Sequence, residues 1–154
     1  MYKLAFEMVP EECWRGNLRS FLSQAEWDVV RKDAYRRSGW RCSVCGAAGR
    51  MEAHEVWAYD DGKALQTLTG VVALCSACHK VVHISRTQLM GGGDEAMWHF
   101  MKVNGCSQAE FHEALAKANE EYLRRNRVEG WVTDFSWLKE HYGFLPWFFP
   151  KGGL

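Results

Sequence analysis

Apolar residues recur at helical spacing behind the segment Ser23-Gln24-Ala25-Glu26: Trp27, Val30, Ala34 and Tyr35 fall on one side, and Gly39 follows. That opening is a capping box, in which the Ser hydroxyl accepts the N–H three residues on while the Glu carboxylate accepts the Ser N–H. The pattern therefore predicts a helix over 24–38 whose other side is basic. From residue 40 the period changes. Cys42-Ser-Val-Cys45-Gly46 makes a tight knuckle, Arg50 to Tyr59 reads as a strand, and the β-branched run Leu68 to Leu74 reads as a second. Asp60-Asp61-Gly62-Lys63 is the loop between them. Cys75-Ser-Ala-Cys78-His79 opens a short helix to about Ile84, and Gly91-Gly92-Gly93 is the clearest linker. Asp94 then caps a helix through Asn104. A second capping box, Ser107-Gln108-Ala109-Glu110, starts a helix to Arg127 with Phe111, Leu115, Ala118 and Tyr122 as its apolar stripe. Residues 1–22 read as irregular, with a short strand at their start.

These elements predict an α+β fold in three stretches packed as one domain. Residues 1–39 carry the basic helix, 40–90 form a β-β-α unit with cysteines at both ends, and 91–154 hold two helices and an aromatic tail. A chain of 154 residues, 47% hydrophobic and 25% charged, is ordinary for one compact domain and needs no disulfides to hold its core. The tail contains Trp131, Phe135, Trp137, Tyr142, Phe144, Trp147, Phe148 and Phe149. Such a density must either pack down, the favoured expectation, or serve as a contact surface for a protein partner. There is no run of 18 apolar residues, and acids interrupt the N-terminal segment at Glu7, Glu11 and Glu12. No membrane span and no signal peptide are expected, and the chain is expected in the cytoplasm. Oligomeric state is not legible.

Charge changes the picture. Lys plus Arg and Asp plus Glu are both 19, so the overall positive balance of a dedicated nucleic-acid binder is absent and any polyanion must meet a local patch. Residues 14–50 offer one. Arg15, Arg19, Arg31, Lys32, Arg36, Arg37, Arg41 and Arg50 face only Glu26, Asp28 and Asp33. Within it Arg31, Lys32, Arg36, Arg37 and Arg41 are the candidates for contacting a nucleic-acid backbone, although a basic helix side is as often simply solvated.

Four of the six cysteines form two Cys-x-x-Cys pairs, Cys42/Cys45 and Cys75/Cys78, separated by 29 residues. Paired knuckles are a spacing that suits a metal in a reducing compartment better than disulfides. Four thiolates about 2.3 Å from one ion make a closed, structural Zn2+ site with no position left for water. Cys13 and Cys106 stand apart and are expected as buried thiols. His79 and His83 lie at i and i+4 on the short helix, so their rings project from one face. A hairpin leading into that helix would place His54, mid-strand, over the same face. Singly each would be an ordinary histidine; together they could share a second ion with open positions.

Cys42-x-x-Cys45, Glu52-Ala53-His54-Glu55-Val56 and Leu74-Cys75-x-x-Cys78-His79-x-x-x-His83 together resemble the HNH endonucleases, the His-Me finger or ββα-metal superfamily, over residues 40–84. Trp57-Ala58-Tyr59-Asp60-Asp61 and Trp14-Arg15-Gly16-Asn17-Leu18-Arg19 look like a small bacterial and phage group within it. The resemblance implies a zinc-stabilised ββα-metal core and hydrolysis of phosphodiester bonds in DNA. It also implies a divalent ion, Mg2+ or a transition metal such as Mn2+, Ni2+ or Zn2+, held by His54, His79 and His83. Two positions depart from the family pattern. Glu55 stands where the general base is usually histidine, and an unperturbed Glu, with a pKa of about 4.3, is a weak base at neutral pH. The family's middle asparagine falls at Gly70, leaving its orienting role vacant unless Gln66 or Asp61 fills it. In a second assignment His54 is the base, and Glu55 or Asp61 joins His79 and His83 on the metal. Strand alternation places His54 and Glu55 on opposite faces, so an undistorted strand cannot offer both to one ion.

Three functions follow as expectations. The first is a metal-dependent DNA endonuclease. The second is a binding module, adaptor or inhibitor that keeps the ββα scaffold with weak or no catalysis. The third is a plain zinc-ribbon protein whose histidines are incidental.

Overall fold

The computed structural model describes residues 1–143, which form a mixed α+β fold. The expected N-terminal strand is absent. The first ten residues instead lie extended against helix ends: Leu4 exchanges two hydrogen bonds with the Asn104 side chain, and the Glu7 N–H donates to Val82 O at 3.0 Å. Pro10 leads into a 3-10 turn, Glu11–Cys13, and the Asn17 side chain caps a one-turn helix α1, Leu18–Phe21. Helix α2, Gln24–Arg37, carries the reciprocal Ser23/Glu26 capping box and buries Trp27, Val30, Ala34 and Tyr35.

Strands β1, Glu52–Asp60, and β2, Leu65–Leu74, pair antiparallel, with His54 opposite Val72. The register steps between Val56, opposite Gly70, and Trp57, opposite Leu68. Thr69 is therefore the extra residue of a β-bulge, and its hydroxyl donates to Val56 O at 3.1 Å. A strand β3, Val132–Asp134, pairs parallel with residues 65–67, which explains why β2 begins before its β-branched run. The sheet order is β1-β2-β3, so among the described residues β1 has a free edge.

After β2 the chain turns at Cys75 into α3, Ser76–Val82, and continues as α4, Ile84–Leu89. His83 sits at the break with φ −97° and ψ 52°, so one expected helix is two. Helix α5, Gly93–Asn104, is capped at Gly92, which places Asp94 in its first turn rather than at its cap. There its charge still meets the positive end of the helix. The triple glycine is thus a turn entering a helix; Gly91 alone of the three has a positive φ, 85°. Helix α6, Gln108–Asn126, starts at the Ser107 cap, and α7, Ser136–Tyr142, follows β3.

Two apolar clusters use opposite faces of the hairpin. Val72 and Leu74, on the face of Glu52 and His54, join Leu4, Val81, Ile84, Phe100 and Phe111. Trp57, Leu68 and Val71, on the face of Glu55, join Leu18, Trp27, Val30 and Leu138. The described part of the aromatic tail packs down. Phe135 stacks on Phe21 at 4.7 Å, and the buried Tyr142 donates its hydroxyl proton to Asp33 at 2.8 Å. Phe144, Trp147, Phe148 and Phe149 lie outside the described residues. Cys13 is buried, whereas Cys106 is half-exposed. Among the described residues no helix is long and apolar enough to cross a membrane.

Candidate metal centre

The first cluster joins the loop before β1 to the start of α3. The sulfurs of Cys42, Cys45, Cys75 and Cys78 all lie within 4.8 Å of one another, and none of the six cysteines is in a disulfide. Cys45 Sγ and Cys75 Sγ are 3.7 Å apart. A tetrahedron with bonds of about 2.3 Å has edges of about 3.8 Å, so this spacing suits two thiolates on one zinc. Each knuckle aims a backbone N–H at its first sulfur, Cys45 N at Cys42 Sγ (3.5 Å) and Cys78 N at Cys75 Sγ (3.4 Å). Burial would raise the Cys42 thiol, but the N–H groups of Cys45, Cys75 and Val44 around its sulfur bring it down to about 7. Burial and the neighbouring sulfurs push Cys78 up. The donor set fits a structural metal such as zinc. Ser43 N–H donates to Ala73 O at 2.8 Å, tying the first knuckle to β2. His99, on α5, sets Nε2 3.2 Å from Cys78 Sγ; no Cys/His spacing in the sequence marks it.

The second cluster lies where β1 crosses α3. His54 is buried on β1, His79 comes from α3 and His83 from the break after it. The ring centroids are 5.4 Å (His54–His79), 5.1 Å (His54–His83) and 4.8 Å (His79–His83) apart, and one ring nitrogen from each lies within 4.8 Å of the others. Two rings have a carboxylate beside them. His54 Nε2 is 3.2 Å from Glu7 Oε2, and His79 Nδ1 is 2.8 Å from Glu52 Oε1. Burial, helped by the proximity of His54, His79 and Arg86, lowers His83 to about 4, so at neutral pH its ring is uncharged with a lone pair to offer. Neither carboxylate was picked out in the sequence: Glu52, two residues before His54 on an alternating strand, could have been found, whereas Glu7, 47 positions away, carries no local signal.

The histidines line a cleft of about 830 Å3 walled by Glu7, Trp14, Asn17, Arg19 and Arg86. A second cleft of about 980 Å3 contains Arg19, Arg31, Trp40 and Arg50. Both share Arg19, Trp27, Ala53 and His79, so they meet beside the imidazole cluster. Arg19 lies over the Trp27 ring at 5.5 Å, and among the described residues Arg19, Arg50 and Arg86 have no ion-pair partner.

Glu55 is not part of the imidazole cluster. It lies on the opposite face of β1, where Oε1 accepts the Leu18 N–H at 2.7 Å, and burial pushes its carboxyl up. It borders the same cleft because β1 is an edge strand. Gln66 is buried with both amide atoms engaged, Nε2 donating to Tyr59 Oη (3.0 Å) and Oε1 accepting from Thr133 (2.9 Å). Asp61 pairs with Arg124 at 2.7 Å. The α2 bases are largely neutralised by their own helix: Arg31 pairs with Asp28 at 2.8 Å, Arg36 and Arg37 share Asp33, and Arg37 also donates to Val71 O. Arg41 donates to Gly46 O at 3.2 Å, and Lys32 is exposed.

No family model, curated protein or solved structure matches the chain.

Proposed function

We propose that the chain is a metal-dependent endonuclease of the HNH type, in which a ββα-metal core pinned by a tetrathiolate zinc hydrolyses phosphodiester bonds of DNA. The observation that carries this reading is the convergence of His54, His79 and His83 where two clefts meet, beside Arg19, Arg50 and Arg86, which have no ion-pair partner among the described residues. A closed thiolate site alone would leave such a groove without a purpose. A divalent ion held by the three imidazoles would polarise a phosphoryl oxygen and stabilise the departing 3′ oxygen. The arginines attract successive phosphates into the groove, and burial of His83 keeps its lone pair for the metal rather than for bulk protons. Nucleic-acid contact shifts from α2 to the cleft arginines, because the α2 charges answer one another. Glu55 is a structural acceptor for α1 in this account, not the base.

A second reading is favoured by specific observations: Gly70 has no side chain where an asparagine is expected, Gln66 and Asp61 are engaged elsewhere, and Glu55 holds Leu18. In that reading the scaffold binds nucleic acid or protein without cutting. A supercoiled-plasmid assay with Mg2+, Mn2+, Ni2+ and Zn2+, comparing the native chain with His83→Ala, separates the two. Metal-dependent nicking lost in the variant supports the nuclease. Absence of nicking with every metal supports the binding module.

A further inference from the structure

The carboxylates beside two of the imidazoles decide which of their ring nitrogens is left to bind an ion. A neutral imidazole has one N–H and one lone pair, and a carboxylate can only accept. The nitrogen beside a carboxylate is therefore the protonated one, and the other carries the lone pair. Glu7 Oε2 lies 3.2 Å from His54 Nε2, and Glu52 Oε1 lies 2.8 Å from His79 Nδ1. Glu7 is not one of the groups whose ligand atoms all lie within 4.8 Å of one another, so it acts through His54 and not on the ion. Its place is fixed: its own N–H donates to Val82 O, one residue before His83. The His54 side chain is 7% exposed, so water cannot readily replace that carboxylate. We infer that Glu7 and Glu52 are positioning residues of the metal site, Glu7 making His54 present Nδ1 and Glu52 making His79 present Nε2.

This rests on the metal reading of the cluster, and it makes the N-terminal segment part of the site. Outer carboxylates of this kind orient a histidine ligand and raise its basicity; removing one typically weakens metal binding about 10–100-fold. The test is a long-range 1H–15N correlation spectrum of the full chain, with 15N-labelled histidine and the cysteine site filled with zinc, before and after further Zn2+. The expected result is protons on His54 Nε2 and His79 Nδ1, with added Zn2+ shifting His54 Nδ1 and His79 Nε2. Glu7→Ala should mix the His54 tautomers and weaken the second zinc about 10–100-fold by calorimetry, leaving the cysteine zinc and the melting temperature unchanged. Glu7→Gln, which keeps an accepting oxygen, should retain the tautomer and lose less. Zinc shifting His54 Nε2, or Glu7→Ala binding the second zinc as tightly as the native chain, would overturn the assignment while leaving a metal at the site. If the three rings do not respond to Zn2+ at all, the metal reading itself fails and takes this inference with it. Should Glu7→Ala not fold, the native tautomers decide.

Discussion

Glu55 offers the sharpest separation of structure from chemistry, because its carboxylate sits one residue from His54 yet reaches a different partner. Oε1 accepts the Leu18 N–H at 2.7 Å, and Leu18 is fully buried at the start of α1. Glu55→Ala leaves that N–H without its acceptor in a place water reaches poorly, which costs about 1–3 kcal/mol. For a protein of this size each kcal/mol moves the melting temperature about 2–4 °C, so the expected drop is about 2–12 °C. Glu55→Gln keeps an oxygen for the same N–H and should melt within about 4 °C of the native chain. The assay is calorimetric melting of the zinc-loaded protein, paired with plasmid nicking per folded molecule. Glu55→Gln should nick within a few-fold of the native rate. A variant that melts normally but nicks 100-fold more slowly would identify Glu55 as the base and refute its structural role. Unchanged melting of Glu55→Ala would refute the accounting for α1.

Three further outcomes follow from the same contacts. Cys45→Ser removes one of four thiolates and with it the pin between the knuckle and α3; zinc content by mass spectrometry under native conditions should fall from one tightly held ion toward none, and thermal unfolding should lose its cooperativity. Burial would raise the Asp33 carboxyl, but hydrogen bonds from Arg36, Tyr142 and Arg37 outweigh it and hold the group below its ordinary 3.8. A depressed acid contributes stability that is present above the unfolded value and lost as pH falls through the folded one, so denaturant melts of Asp33→Asn should be about 1 kcal/mol weaker near neutrality and flatter below about pH 4. Arg50→Ala should weaken DNA binding and lower the slope of log affinity against log salt by about 1, measured by fluorescence anisotropy, whereas Arg36→Ala, already paired to Asp33, should change the slope less.

The elements carried by local chemistry were legible in the sequence. The Ser23 and Ser107 caps set two helix starts, and the Cys-x-x-Cys pairs located the thiolate cluster, because both depend on atoms within a few residues. The three histidines were legible as a group because helix period and strand position act together. What escaped depends on distant partners. Strand β3 exists because β2 offers an edge, α1 exists because Asn17 and Glu55 satisfy its first N–H groups, and Glu7 reaches His54 only after the first ten residues are laid across α3. In the basic stretch the local pairing was hidden in the spacing. Its charges are real, but Asp28 and Asp33 recur at helical spacing from Arg31, Arg36 and Arg37 and neutralise them locally.

If a zinc-pinned hairpin and helix bring three imidazoles around a second, exchangeable ion, that ion should be visible at the histidines. Anomalous diffraction from crystals of the zinc-loaded chain soaked in Mn2+ tests it most directly. The expected maps show a zinc peak among Cys42, Cys45, Cys75 and Cys78 and a manganese peak bonded to His54, His79 and His83. A manganese map empty at the histidines, beside an occupied cysteine site, would contradict it.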